Sequence, residues 1–352
     1  MGRLRERFTE AGCDALLVTK LENLRYLTGF TGSAGMLIVT SDGALLTTDG
    51  RYRDQAAEQL SAAGAEADLE IGRADTQLDA LERRTGGLAR LGLESSACTW
   101  AQVLRFGDLF EPELVPTRGL VEQLRIVKDA GELARVERAC EIADVALGQV
   151  KNRLSEGISE SEFAAELEFE MRRRGAQGPA FETIVASGPN SAMPHARPTA
   201  RVPLDGELVV LDFGAVVDGY RSDMTRTLCL GTPTKGLLDL IDAVFAAQRA
   251  GLHAVEAGKP AGSVDEACRS VLTEAGYGDA FLHSTGHGVG LEIHEAPAVA
   301  AGVADILPAG AIVTVEPGAY LAGRGGVRIE DTVVVTDDGN RILTHSTKDY
   351  ML

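Results

Sequence analysis

At 352 residues, with 45% hydrophobic and 24% charged side chains, the chain is an ordinary globular sequence too long for one core, which predicts two domains and excludes a disordered or fibrous protein. Its 34 basic and 52 acidic side chains give a formal charge of -18, which repels phosphate backbones and anionic lipid surfaces, so neither nucleic acid nor a membrane is expected as a partner. Five scattered cysteines without a C-x-x-C pair exclude a disulfide framework or zinc ribbon. Together with a charged N-terminus and no span-length apolar run, they predict a reduced cytoplasm.

In chain order, DALLVT and AGMLIVT read as strands, and RYRDQAAEQLSAAG reads as a helix ending at a glycine. This alternation predicts a small α/β domain over residues 1–120. After the proline-containing EPELVPTRG the character changes. A long helical run starts near Asp129, with Glu132 three residues on as a capping-box partner, and opens a second domain over 121–352. Further helices are predicted at about 159–174, 236–257 and 263–276. Two hairpins follow from apolar runs around glycine-containing turns, ELVVLDFGAVVDGYRSDMTRTLCLG and AIVTVEPGAYLAGRGGVRIEDTVVVT. Their similar layout hints at an internal duplication.

The acids in these hairpins are misplaced for simple strands. Asp212 interrupts the apolar run LVVLDFGAV, where a carboxylate is costly. With the turn centred on Val217 and Asp218, antiparallel counting sets Asp223 directly opposite Asp212, with Cβ atoms roughly 5 Å apart. Like charges at that spacing destabilise a sheet unless a proton or a cation neutralises them. Glu316 and Glu330 repeat the problem in the second hairpin. Four carboxylates are too many for one ion, which predicts two.

A fifth donor lies in HSTGHGVGLEIHEAP, where Gly286, Gly288 and Gly290 surround His287 and let backbone approach a crowded site. One nitrogen and four carboxylates form a hard donor set. It suits manganese, with cobalt or zinc as replacements, and not a thiolate-type structural zinc. Simpler readings exist for each position: an edge or salt-bridged Asp212, a tight GHGVG turn, or a solvated edge in which Arg328 pairs with Glu330. All would have to hold at five positions together.

These residues resemble the proline-specific peptidases comprising aminopeptidase P and prolidase, relatives of methionine aminopeptidase and creatinase. The resemblance spans nearly the whole chain, through LENLRYLTGFTGSAG, PHARPT, VVLDFGAVVDGYRSDMTRT, STGHGVGLEIHEAP, TVEPGAY and GGVRIEDTV. It implies an α+β protein with a C-terminal pita-bread catalytic domain, preceded by an α/β creatinase-like domain that shapes the pocket and supports a homo-oligomer, dimer or tetramer. It implies that Asp212 and Asp223 bind one metal ion, that His287 and Glu316 bind the other, and that Asp223 and Glu330 bridge them.

By the same resemblance, a bridging water is acidified and attacks the carbonyl preceding proline, Glu316 shuttles a proton to the leaving nitrogen, and His294 stabilises the oxyanion. His195 and His283 resemble the family's other pocket histidines. Arg328 would share a strand face with Glu330 and hold the ligands, with Tyr320 a weaker candidate for the same pocket. His253 and His345 match no motif.

The expected substrate is a peptide with proline in second position. Methionine aminopeptidase fits less well because its minimal form has no preceding α/β domain. Retention of all five ligands argues against a catalytically silent binding protein. Some prolidases carry an arginine four residues after the pocket histidine, where this chain has Ala298. Loss of that carboxylate clamp favours aminopeptidase P over the alternative, a prolidase acting on dipeptides, although Arg197, Arg324 or a neighbouring subunit could supply the charge.

Overall fold

The run DALLVT forms β1 (Ala15–Val18), buried along its whole length, inside the first of two units, Met1–Arg125, of a computed structural model that describes residues 1–352. AGMLIVT becomes β2 (Met36–Thr40), followed by β3 (Ala44–Thr48), β4 (Asp68–Ile71), β5 (Arg90–Glu94) and β6 (Glu113–Thr117). They form one mixed sheet in the order β4-β3-β2-β1-β5-β6. Side chains alternate across it: Leu16 and Val18 pack into one core while Ala15 and Leu17 pack into the other. Helices α1 (Leu21–Thr28), α2 (Arg53–Ala62), α3 (Ala74–Thr85) and α4 (Trp100–Leu109) belong to the same unit. A sheet apolar on both faces needs such cover, which is why its strands read as continuous apolar runs.

The second unit, Ile126–Leu352, opens with α5 (Ala130–Val150). Its capping box is formed: the Asp129 carboxylate accepts from the Glu132 N–H at 2.8 Å, and the Glu132 carboxylate accepts from the Asp129 N–H at 2.9 Å. Next come α6 (Glu160–Arg173), β7 (Ile184–Ser187), β8 (Leu208–Phe213), the short hairpin β9 (Val216–Val217) and β10 (Tyr220–Arg221), and β11 (Met224–Cys229). Strands β11, β8 and β7 form one sheet in that order.

A second set repeats this plan with α7 (Lys235–Ala254), α8 (Gly262–Glu274), β12 (Gly286–Gly288), β13 (Glu295–Val299), β14 (Ile312–Val315), β15 (Gly318–Leu321), β16 (Gly325–Arg328), β17 (Asp331–Thr336) and β18 (Gly339–Ile342). Its main sheet runs β13-β12-β14-β17-β18, and β15 and β16 form a separate hairpin ladder. No helix is long and apolar enough to cross a membrane.

Strand parity sets the site. Val209, Leu211 and Phe213 share a core with Leu147, Phe163 and Leu167 of the first helix pair, so Asp212 points to the opposite face of β8. In the second half Val313, Val315, Val333 and Val335 pack with Val244 and Val264 of α7 and α8. Thr314, Glu316 and Glu330 fall on the alternate parity and face away from those helices.

Candidate metal centre

The first hairpin corrects the register expected from the sequence. Its turn is centred on Asp218 and Gly219, both with positive φ (43° and 72°), one residue beyond Val217–Asp218. Asp212 therefore pairs with Thr225 on β11 and with Ile184 on β7, not with Asp223. Asp223 lies two residues before Thr225 and is a diagonal neighbour on the same face, still within carboxylate reach. Asp-Gly favours the two-residue turn with both φ values positive, so this signal was present in the sequence.

In the second hairpin the flanking pairs are Val315–Asp331 and Gly318–Arg328, which put Glu316 across from Glu330 where one ladder gives way to the next. Ligand oxygens of Asp212, Asp223 and Glu330 all lie within 4.8 Å of one another. His287 enters from β12, its Nε2 lying 3.2 Å from Glu316 Oε1 and 3.6 Å from Asp223 Oδ2. The backbone here is crowded: a Cβ on Gly286 would lie 2.1 Å from the Thr314 carbonyl oxygen, and one on Gly288 would lie 2.3 Å from that of Ala296.

Neighbouring polar groups orient the donors. His287 Nδ1 sits 3.1 Å from the Gly288 carbonyl, which only accepts, so Nδ1 donates there and Nε2 is the nitrogen turned to the acids. Thr314 Oγ1 accepts from the His287 N–H and donates to Glu316 Oε1, each at 3.1 Å. Thr225 Oγ1 donates to Glu330 Oε2 at 2.7 Å. Arg328 Nη2 donates to Asp212 Oδ2 at 2.5 Å, so Arg328 pairs with Asp212 and not with Glu330. Two oxygens, Asp212 Oδ1 and Glu330 Oε1, are buried without a hydrogen-bond partner.

Electrostatics agree with the geometry. Burial, then the neighbouring Glu330 and Asp212, push Asp223 well above the usual carboxylate range. Burial and the charges of Glu316 and Asp212 do the same to Glu330. Asp212 is raised by burial, with Arg328 opposing. Glu316 is lowered, because the hydrogen bond and charge of His287 outweigh its burial. Protein charges alone leave these acids poorly compensated. Two orphaned buried oxygens beside an imidazole nitrogen turned to the same acids fit hard divalent cations, and the residues present are suited to hold them.

Nine residues singled out from the sequence line one cavity of 540 Å³: Asp212, Asp223, His287, Glu316 and Glu330, with His195, His283, His294 and Arg328. The His294 ring lies 4.3 Å from that of His287, nearly perpendicular to it, and burial followed by the His287 charge lowers its pKa. Tyr320 stands behind the wall, where its hydroxyl meets His283 Nε2 at 2.8 Å and accepts from Arg328 Nη1 at 2.7 Å. Arg197 and Ala298 line the cavity, whereas Arg324 is an exposed turn residue outside it. Sequence reasoning missed Thr225, Phe181, Glu182 and Ile293. Thr225 was legible as an alternate-parity polar residue in DMTRTLC; the others carry no local signal.

Residues 134–337 match the model of metallopeptidase family M24, and residues 1–127 match the creatinase/prolidase N-terminal domain. The chain belongs to metallopeptidase family M24. This M24 peptidase is 35% identical to the Xaa-Pro dipeptidase of Pyrococcus horikoshii, over 96% of its own length and 94% of that protein's. Among solved structures it is similar to an Xaa-Pro dipeptidase from Bacillus anthracis, with a TM-score of 0.94 and 41% identity over 100% of this chain and 98% of that one. An X-Pro aminopeptidase from Thermotoga maritima gives a TM-score of 0.88 and 35% identity, covering 97% and 98%. The chain is therefore an M24 metallopeptidase with a creatinase-type N-terminal domain and a pita-bread catalytic domain, and its family implies divalent metal ions.

Proposed function

We propose that this peptidase is a dinuclear Xaa-Pro dipeptidase, cutting the bond between an N-terminal residue and a C-terminal proline. One observation carries the hydrolytic reading: five donor side chains converge on one cavity and leave Asp212 Oδ1 and Glu330 Oε1 buried without partners. Asp212 and Asp223 would hold one ion, His287 and Glu316 the other, and Asp223 and Glu330 would be shared. Manganese suits this donor set best. Bound ions would supply Lewis-acid polarisation of the scissile carbonyl and an acidified water near neutral pH.

The protein's own groups do the rest. Glu316 is held in its charged form by His287 and can take up a proton and pass it to the leaving proline nitrogen. His294 is a neutral imidazole whose N–H can donate to the developing oxyanion. His195 is an exposed wall residue able to touch substrate. Tyr320 and the Ser284 carbonyl hold both nitrogens of His283, which makes it an ordering group. Phe181, Ile184 and Ile293 give the cavity an apolar side suited to a pyrrolidine ring.

Dipeptidase is preferred to aminopeptidase P because the Bacillus anthracis protein, at 41% identity and a TM-score of 0.94, and the Pyrococcus horikoshii protein bear that name, whereas the X-Pro aminopeptidase stands at 35% and 0.88. Ala298 speaks the other way by removing one arginine, yet Arg197 remains in the wall. A cytoplasmic homo-oligomer, dimer or tetramer, belongs to the same reading by family resemblance.

The test is hydrolysis by manganese-loaded protein of Xaa-Pro dipeptides, Xaa-Pro-Xaa tripeptides and a Met-Ala peptide. Cleavage of the dipeptides alone is expected. Preference for tripeptides would return the protein to the aminopeptidase P type, and cleavage of Met-Ala alone to methionine aminopeptidase. Chelation and Asp223→Ala should each abolish activity; retention in either case rules out the proposed site.

A further inference from the structure

The substrate of a dipeptidase carries an α-carboxylate one residue from the bond that is cut, a distance of roughly 3.5 Å along the chain. Such a group needs a cation in the cavity wall, because the wall is otherwise rich in acids: Glu182 joins the four carboxylates of the metal centre. Two arginines line the cavity, Arg197 and Arg328. Arg328 is 3% exposed, and its guanidinium already serves Asp212, Tyr320, Thr225 and the Pro194 carbonyl. The Arg197 side chain is 61% exposed, and it pairs with Glu182, itself 65% exposed.

We propose that Arg197 binds the α-carboxylate of the dipeptide, and that Glu182 is the internal carboxylate it exchanges for that of the substrate. This rests on the dipeptidase reading above. A guanidinium offers a planar fork that fits a carboxylate through two parallel hydrogen bonds, so substrate can replace Glu182 in kind. Once released, Glu182 disfavours any second anionic group at that end of the cavity.

The segment bearing Arg197 is built to hold it in place. The carboxylate of Glu160, fully buried at the start of α6, accepts from Ser187 N–H and Oγ at 2.7 Å and from Asn190 Nδ2 at 3.1 Å. It also accepts from Thr199 N–H at 3.0 Å and Thr199 Oγ1 at 2.6 Å. One carboxylate thus ties both ends of the stretch that carries His195 and Arg197. The cation absent at Ala298 on β13 is replaced from PHARPT, a different part of the chain.

The experiment compares an Xaa-Pro dipeptide with its prolinamide, which lacks the carboxylate, using manganese-loaded wild type, Arg197→Gln, Arg197→Lys and Glu182→Gln. Wild type should favour the free acid. Arg197→Gln should raise KM for the acid about 10- to 100-fold, the loss expected for charged hydrogen bonds, with kcat little changed and the amide unaffected. Arg197→Lys should restore part of the preference, and Glu182→Gln should lower KM for the acid a few-fold.

If wild type favours the acid and Arg197→Gln keeps that preference, or loses acid and amide equally, the assignment of Arg197 is wrong and the dipeptidase reading stands. An unchanged KM in Glu182→Gln overturns the exchange. Should wild type cut the amide and tripeptides with a kcat/KM equal to that for the acid, the dipeptidase reading itself fails.

Discussion

At the scale of single residues, the centre depends on groups that hold the donors as much as on the donors. Thr225 Oγ1 fixes one oxygen of Glu330, and the Thr225 backbone carbonyl accepts the Glu330 N–H at 3.2 Å. Thr225→Val keeps the shape and β-propensity but removes the hydroxyl. It should weaken manganese binding about 10- to 100-fold, as is typical when a hydrogen bond to a metal ligand is lost. Calorimetric titration of chelated protein with manganese measures this, and unchanged affinity would show that Glu330 is held by its strand alone. The four acids of the site stood out because charge inside apolar strands is anomalous, and His287 because glycines surround it. Thr225 was passed over, because a threonine in a strand is ordinary and only its parity marks it.

At the scale of elements, closeness of backbones is decisive. Strand β12 brings His287 against β14 only because Gly286 has no Cβ to meet the Thr314 carbonyl. In Gly286→Ala the strands must part or His287 must shift. Activity and metal affinity should therefore fall by at least 100-fold, since an ångström of displacement costs about that much in a positioned site. The thermal midpoint should fall less steeply. A variant with wild-type turnover would mean that β12 yields without moving His287. The two hairpins also show how far counting along strands goes. Helix starts at Asp129 and Ser159 and strand alternation were readable, but register depends on which two residues form the turn. Moving that turn to Asp218–Gly219 changed the facing pair from Asp212–Asp223 to Asp212–Thr225.

At the scale of the whole catalytic unit, RIED is divided between two faces. Arg328 and Glu330 serve the cavity, while Asp331 turns to the core side. There it pairs with Arg226 at 3.0 Å and with Lys348 near the C-terminus, and accepts from Gln248 of α7 at 2.8 Å. Asp331→Asn leaves the almost fully buried Arg226 unpaired and should cost about 3–5 kcal/mol in denaturant unfolding.

Burial alone would raise the Asp331 pKa, but Arg226 and Lys348 overcome it and hold the folded value below the ordinary one. Its contribution is then fully present above the unfolded carboxylate range, about pH 4, and is lost as pH falls through the folded value. Wild type should lose stability over that acid range, and Asp331→Asn should show a flatter acid limb. Parallel acid limbs in the two proteins would remove Asp331 from the account.

The sequence by itself determined the two-domain plan, the helix starts and which acids stand out of place in the strands, because capping, periodicity and misplaced charge are local properties. It determined which face each strand residue takes, since parity follows from the pleat. Only the tertiary structure decided the partners: that Asp212 is held by Arg328, 116 residues away, that Glu330 and Asp331 part company, and that Arg197 enters the wall that Ala298 leaves uncharged. These contacts join strands and loops far apart in the chain, and packing between them has no short-range signature for a sequence to display.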